Sequence, residues 1–263
     1  MTSNLQNSIV SFESKKKYIY LYVFSYKLLL MLEQELHLER ELFFLLNGSD
    51  HAVLDNFFYL YSYKWTWVPL YLCFLFVFVY RKNWKEILCV LFSIFLLILL
   101  CDQISSGFFK PFFERLRPTH HPDFKEQVDI VLGYRGGRYG FVSSHAANTS
   151  GFAVFTALLF RNRYYTLMIV LFSLLASYSR IYLGVHFISD VIAGILLGVV
   201  IGFFVYKSFN YARYKWIKVS KDELTDALYP SREAYVLSGI FSLTLVLLIA
   251  LDNQLVGVLL AFN

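Results

Sequence analysis

Three short patterns carry residues able to handle a phosphate: Lys110 to Arg117-Pro118, Ser143-Ser144-His145, and Ser179-Arg180 to His186 and Asp190. Together they hold three cations, serine hydroxyls, two histidines and a carboxylate. Arginine grips two phosphate oxygens in a fork, and lysine adds a point charge. Lys110 and Arg117 are seven apart, so both point one way if the stretch is helical; the bland alternative is cations snorkelling at a membrane edge. Ser143 is placed as a helix N-cap, which turns the free amides of Ser144 and His145 toward an anion. His186 and Asp190 are four apart at a helix start and share a face. Asp190 then takes the proton-bearing ring nitrogen of His186 and leaves the other nitrogen as a nucleophile. An interfacial ion pair is the simpler account of the same spacing, but ionisable groups at a membrane edge point to function.

The elements that must position these residues are apolar. Of 263 residues, 57% are hydrophobic and 16% charged, and mean hydropathy is +0.52. That balance makes the bilayer the expected solvent. The net charge of +5 is too modest for nucleic acid and suits basic cytoplasmic loops. Apolar runs at 65–80, 87–109, 146–160, 164–183 and 187–206 read as spans, and 234–251 as a sixth. The expected fold is all-α: a polytopic helical bundle with about six transmembrane helices and an N-terminal interfacial helix at 32–46, stopped at Asn47-Gly48. Residues 18–32 read as a signal anchor, although Met31 offers an alternative start. The chain divides by this reading into N-terminal helices (1–64), a catalytic membrane core (65–206), and a basic connector with a last span (207–263).

Loops holding Arg81, Lys82 and Lys85, Arg161 and Arg163, and Lys207, Arg213, Lys215 and Lys218 face the cytoplasm by the positive-inside rule. Residues 110–145 and the turn at Gly184 to His186 then share the opposite face. Gly194, Gly198 and Gly202 continue below Asp190 as a small-residue stripe for close helix approach. Cys73, Cys89 and Cys101 lie in apolar runs and are read as packing. His120-His121 with Asp123 lacks a second ligand set, so neither a metal nor another cofactor is expected. Arg135-Gly136-Gly137-Arg138 is either a headgroup contact or a flexible turn.

In order and at the ends of spans, these patterns resemble the type 2 phosphatidic acid phosphatase family, whose motifs are K-x6-R-P, P-S-G-H and S-R-x5-H-x3-D. The likeness runs from about residue 65 to 206. Val142 stands where the pattern has Pro, and Ser144 where it has Gly. The resemblance implies a metal-independent lipid phosphatase. His186 attacks phosphorus and forms a phosphohistidine, Asp190 orients it, and His145 protonates the leaving oxygen and then activates water. Lys110, Arg117, Ser143, Ser144 and Arg180 hold the phosphate oxygens. The expected partners are the bilayer and a lipid phosphate: phosphatidic acid, phosphatidylglycerol phosphate, undecaprenyl diphosphate or lipid A. The basic loop 125–138 favours lipid A or the undecaprenyl lipid. The expected place is a bacterial inner membrane, with the site on the extracytoplasmic face. A catalytically silent phospholipid-binding or scaffold protein is the rival. A soluble vanadate-type haloperoxidase does not suit this hydropathy, and a transporter would need polar residues in mid-span.

Overall fold

The computed structural model describes residues 37–49 and 51–262, so the expected anchor at 18–32 lies outside the described residues. Almost every described element is helical, and no strand occurs among the described residues. The chain divides into two compact units at residues 45 and 46. Helix α1 (37–46) ends the first unit. It stops where Asn47 and Gly48 were expected to stop it, and Gly48 adopts a positive φ of 64°.

The second unit begins with α2 (Ala52–Ser62), a 3₁₀ turn (Lys64–Trp67) and α3 (Val68–Val79). The chain bends by 70° between α2 and the segment Lys64–Val79. Pro69 sits in the first turn of α3, where a missing N–H costs nothing. Asn83 caps α4 (Trp84–Asp102) by accepting the Lys85 N–H at 2.9 Å. A π turn (Gln103–Phe109) and the short α5 (Lys110–Phe113) continue the same rod. The widened turn directly precedes Pro111, whose ring would crowd the carbonyl four residues back in a regular helix.

Helix α6 (Ser144–Phe160) is followed by α7 (Arg163–Tyr182), α8 (Ile188–Ala212), α9 (Ser231–Ala250) and α10 (Asp252–Phe262). Asn162 caps α7 through the N–H groups of Tyr164 (3.0 Å) and Tyr165 (3.1 Å). Four stretches are long and apolar enough to cross a bilayer: Trp84–Phe113, Arg163–Tyr182, Ile188–Ile217 and Ser231–Ala250. The bent pair ending at Val79 makes a fifth if it counts as one span. The sequence suggested about six. The difference lies in α6, whose 17 residues fall just short of that length. Phe92, Phe95, Leu243 and Val246 stand exposed on α4 and α9, as lipid-facing side chains should.

The tightest seam is α6 on α8, made by the glycine stripe. A β-carbon on Gly198 would lie 2.1 Å from Ser150 Oγ and 2.2 Å from the Ala147 carbonyl oxygen. Only glycine lets the two backbones approach this closely. Ser150 Oγ adds a hydrogen bond across the seam to the Ile195 carbonyl at 3.1 Å.

Candidate active site

The seam fixes the starts of α6 and α8 side by side. The Ser143 N–H donates to the Asp190 carbonyl at 2.9 Å, joining the two helix N-termini through backbone. Ser143 is fully buried and caps α6 as expected, its hydroxyl accepting the Ala146 N–H at 3.4 Å. The Ser144 and His145 N–H groups follow in the first turn, where a helix has no internal acceptor for them.

The chain folds back between α7 and α8 to deliver His186. The Arg180 carbonyl accepts the N–H groups of both Val185 (3.1 Å) and His186 (3.2 Å). Gly184 makes this turn at φ 72°, and a β-carbon there would lie 2.6 Å from Val128 Cγ1. His186 is 2% exposed and Asp190 0%. Nδ1 of His186 lies 3.3 Å from Oδ2 of Asp190, and the same oxygen accepts the Phe187 N–H at 3.1 Å. A carboxylate on Nδ1 selects the tautomer whose other nitrogen, Nε2, is unprotonated and nucleophilic.

The cations come from three directions. Lys110 Nζ, at the end of the long α4 rod, donates to Ser106 Oγ (2.9 Å) and Ser144 Oγ (3.2 Å). Ser144, which departs from the family's glycine, thus supplies a hydroxyl that meets the lysine. The helix ends at Phe113, with Glu114 left-handed at φ 47°, so the helical premise for Lys110 through Arg117 fails beyond that point. Residues 115–117 run extended against 138–140: the Gly140 N–H donates to the Arg115 carbonyl (2.8 Å) and the Arg117 N–H to the Arg138 carbonyl (3.1 Å). Arg117 is 8% exposed, and its Nε donates to the Tyr139 carbonyl at 3.0 Å. Arg180 is 5% exposed. Its Nη1 meets the Ser62 hydroxyl, its Nη2 donates to the Tyr134 hydroxyl at 2.9 Å, and its Nε is buried without a partner.

Lys110, Arg117 and Arg180 form no ion pair among the described residues. Burial first, and then Arg180, pulls the Arg117 guanidinium down to about 10, still a cation at neutral pH. Burial first, then the charges of Arg117, Arg180, Lys110 and Arg115, holds His186 well below the usual imidazole range. Buried cations gathered around a neutral imidazole leave a positive hole that an anion would fill.

Three further contacts were not legible in the sequence. Arg115 forms an ion pair with Asp190 Oδ1 at 2.7 Å, and Tyr134 and Ser62 hold Arg180. The signal for Arg115 is its i, i+2 spacing to Arg117, which shares a face only in extended chain. No signal marks Tyr134 or Ser62. His120 and His121 stay apart from the site chemistry: His120 Nδ1 meets Thr119 Oγ1 at 3.1 Å, and His121 stacks on Phe124 at 4.0 Å. Among the described residues no group of three or more His, Cys, Asp or Glu side chains could hold a metal ion. Arg138 lies over the Tyr139 ring, and the carbonyl of Arg135 accepts from Thr119.

Next to His145 an apolar cavity of about 460 Å³ opens between α3, α4 and α6. His145, Asn148 and Thr149 line it from α6, and Phe74, Ile94 and Phe152 are among its apolar walls. The cavity therefore joins an imidazole to a space fit for hydrocarbon.

An anion hole at the helix N-termini of a membrane bundle, beside a carboxylate-backed histidine, defines a phosphate-handling membrane protein. The chain belongs to the PAP2 superfamily, whose model matches residues 86–214. It is 51% identical over 198 residues to a lipid A 4'-phosphatase of Porphyromonas gingivalis, covering 75% of this chain and 84% of that protein. A lipid A 4'-phosphatase of Bacteroides thetaiotaomicron is 43% identical over 117 residues, covering 44% of this chain and 52% of that one. The crystal structure of Aquifex aeolicus LpxE is similar at 27% identity and TM-score 0.47, covering 64% of this chain and 93% of that one.

Proposed function

We propose that this multi-pass membrane protein is a lipid phosphatase that removes a phosphate from lipid A or a closely related glycolipid. The observation that carries the reading is the trio of cations without carboxylate partners, Lys110, Arg117 and Arg180, set around His186 and Asp190. The 51% identity to a lipid A 4'-phosphatase supports lipid A among the candidates.

The geometry supports a two-step transfer. The three cations and the first-turn amides of α6 take the phosphate oxygens. Nε2 of His186 attacks phosphorus, the bond from phosphorus to the lipid oxygen breaks, and His145 gives that oxygen a proton. Asp190 holds Nδ1 and balances the charge that the imidazole gains. Water then yields a proton to His145 and attacks phosphorus. The phosphorus–nitrogen bond breaks, and His186 leaves as the neutral base. Electrostatic preorganisation of this kind is usually the largest catalytic contribution. The lipid's hydrocarbon lies in the cavity below His145. Basic loops at the opposite rim support a site on the extracytoplasmic face of an inner membrane, with residues 65–206 as its catalytic core.

Phosphate release by purified protein tests this directly. With EDTA present, lipid A should react faster than phosphatidic acid, phosphatidylglycerol phosphate or undecaprenyl diphosphate. No release from any of the four would end the phosphatase reading, and strict dependence on added divalent metal would end the histidine route.

A further inference from the structure

We infer that Arg115, outside all three sequence motifs, is a positioning residue that keeps the Asp190 carboxylate charged and aimed at His186. This rests on the phosphatase reading. Asp190 is fully buried at the start of α8, and its two oxygens have separate duties. Oδ2 serves His186 Nδ1 and the Phe187 N–H. Oδ1 accepts from Arg115 Nη1 at 2.7 Å, a charge-assisted distance. Arg115 Nη1 also reaches Ser189 Oγ at 2.6 Å, and the guanidinium lies over the Phe187 ring at 4.5 Å. One side chain thus touches Phe187, Ser189 and Asp190, three of the four residues that follow the nucleophile.

The backbone that presents Arg115 is fixed as tightly. Its carbonyl accepts the Gly140 N–H at 2.8 Å. A β-carbon on Gly140 would lie 2.7 Å from Asp190 Oδ2, so the strand-like pair can press on the carboxylate only with glycine there. Extended chain puts Arg115 and Arg117 on one face. The first neutralises the carboxylate, and the second is left for phosphate.

The physical need is plain. A carboxyl buried without a cation tends to keep its proton. A neutral acid neither selects the His186 tautomer nor balances the positive charge of a phosphorylated imidazole. The other titratable groups bearing on Asp190 are His186, Arg117 and Lys110. Among the described residues no lysine or arginine other than Arg115 forms an ion pair with the carboxylate.

The test uses full-length protein with Arg115→Gln, Arg115→Lys and Asp190→Asn. The expected result for Arg115→Gln is a fall in kcat of about 10- to 100-fold, the usual cost of losing a ligand's orienting partner, with little change in KM. The acidic limb of its kcat profile should move to higher pH, since Asp190 then needs a lower proton activity to ionise. Arg115→Lys should restore most of the rate. In the Asp190→Asn background, Arg115→Gln should cost nothing more. Equal rates for parent and Arg115→Gln would overturn the inference, as would a lower rate with an unmoved pH profile and no rescue by lysine. Difference infrared spectra supply a readout free of turnover. The carboxylic acid band of Asp190, assigned by its loss in Asp190→Asn, should be absent from the parent at neutral pH and present in Arg115→Gln. If Arg115→Gln does not fold, Arg115→Lys is read the same way against the parent, and a profile and spectrum identical to the parent's support the charge requirement, whereas a protonated Asp190 in Arg115→Lys contradicts it. A parent that releases no phosphate while the infrared result holds would fail the phosphatase reading alone.

Discussion

The two rims of the α4, α6 and α8 cluster bury arginines in opposite ways. At the rim where α8 ends, Arg213 is 6% exposed and forms a two-pronged pair with Glu86 Oε1, at 2.9 Å from Nη2 and 3.3 Å from Nε. At the rim where α8 begins, Arg117 and Arg180 are as deeply buried, and neither is paired with a carboxylate among the described residues. The Asp190 carboxylate at that rim is engaged by Arg115 and His186. A buried charge without a counter-ion is costly, and a fold keeps it only where something else repays the cost. Arg213 therefore reads as architecture. Arg117 and Arg180 read as a socket for an anion that arrives from outside.

The sharpest way to break that contrast is to remove one charge from each rim, a cation at one and a carboxylate at the other. Arg117→Gln should lower kcat by about 10²- to 10³-fold, the usual loss for one preorganised donor, while thermal stability in detergent holds or rises because an unpaired buried charge is gone. Glu86→Gln should do the reverse. Phosphate release should stay near the parent's, and stability should fall by about 3 kcal/mol as Arg213 loses its partner. Equal losses of activity in both variants would erase the distinction between the rims.

A smaller effect sharpens the same picture through pH. His186 is held well below the imidazole range in the fold, whereas in the unfolded chain it titrates near about 6.5. Below that pH the unfolded state binds the extra proton and the folded state does not. The His186 contribution to stability is thus present above about 6.5 and is lost as pH falls toward the folded value. Melting temperature measured across this range should decline on the acid side, and His186→Gln should flatten the decline. An identical slope in the two proteins would mean that the imidazole is not held neutral by its surroundings.

Much of this site was legible because its residues repeat with helical spacing or sit at helix ends. His186 and Asp190 meet at i, i+4, Ser143 caps α6, and Gly198 presses on Ala147 and Ser150. Each follows from periodicity and local chemistry. What escaped depends on irregular chain. Arg115 reaches Asp190 because residues 115–117 leave the helix and pair with 138–140, and no apolar period announces that return. Tyr134 and Ser62 meet Arg180 from a loop and from the end of α2, across 46 and 118 positions of sequence. The bend of 70° between α2 and Lys64–Val79 was also invisible, since it falls at Tyr63, ahead of the apolar run at 65–80, where neither Gly nor Pro marks a break.

If the cation-lined hole presents a phosphoryl group to His186, the histidine must carry that group within a turnover. The direct test mixes the protein with lipid A carrying radiolabelled phosphate, quenches within a turnover in alkali, and locates the label. The expected result is an alkali-stable, acid-labile label on the peptide containing His186 in the parent, and none in His186→Ala. A fully active parent that never carries label, or a His186→Ala protein that still releases phosphate at the parent's rate, would contradict it.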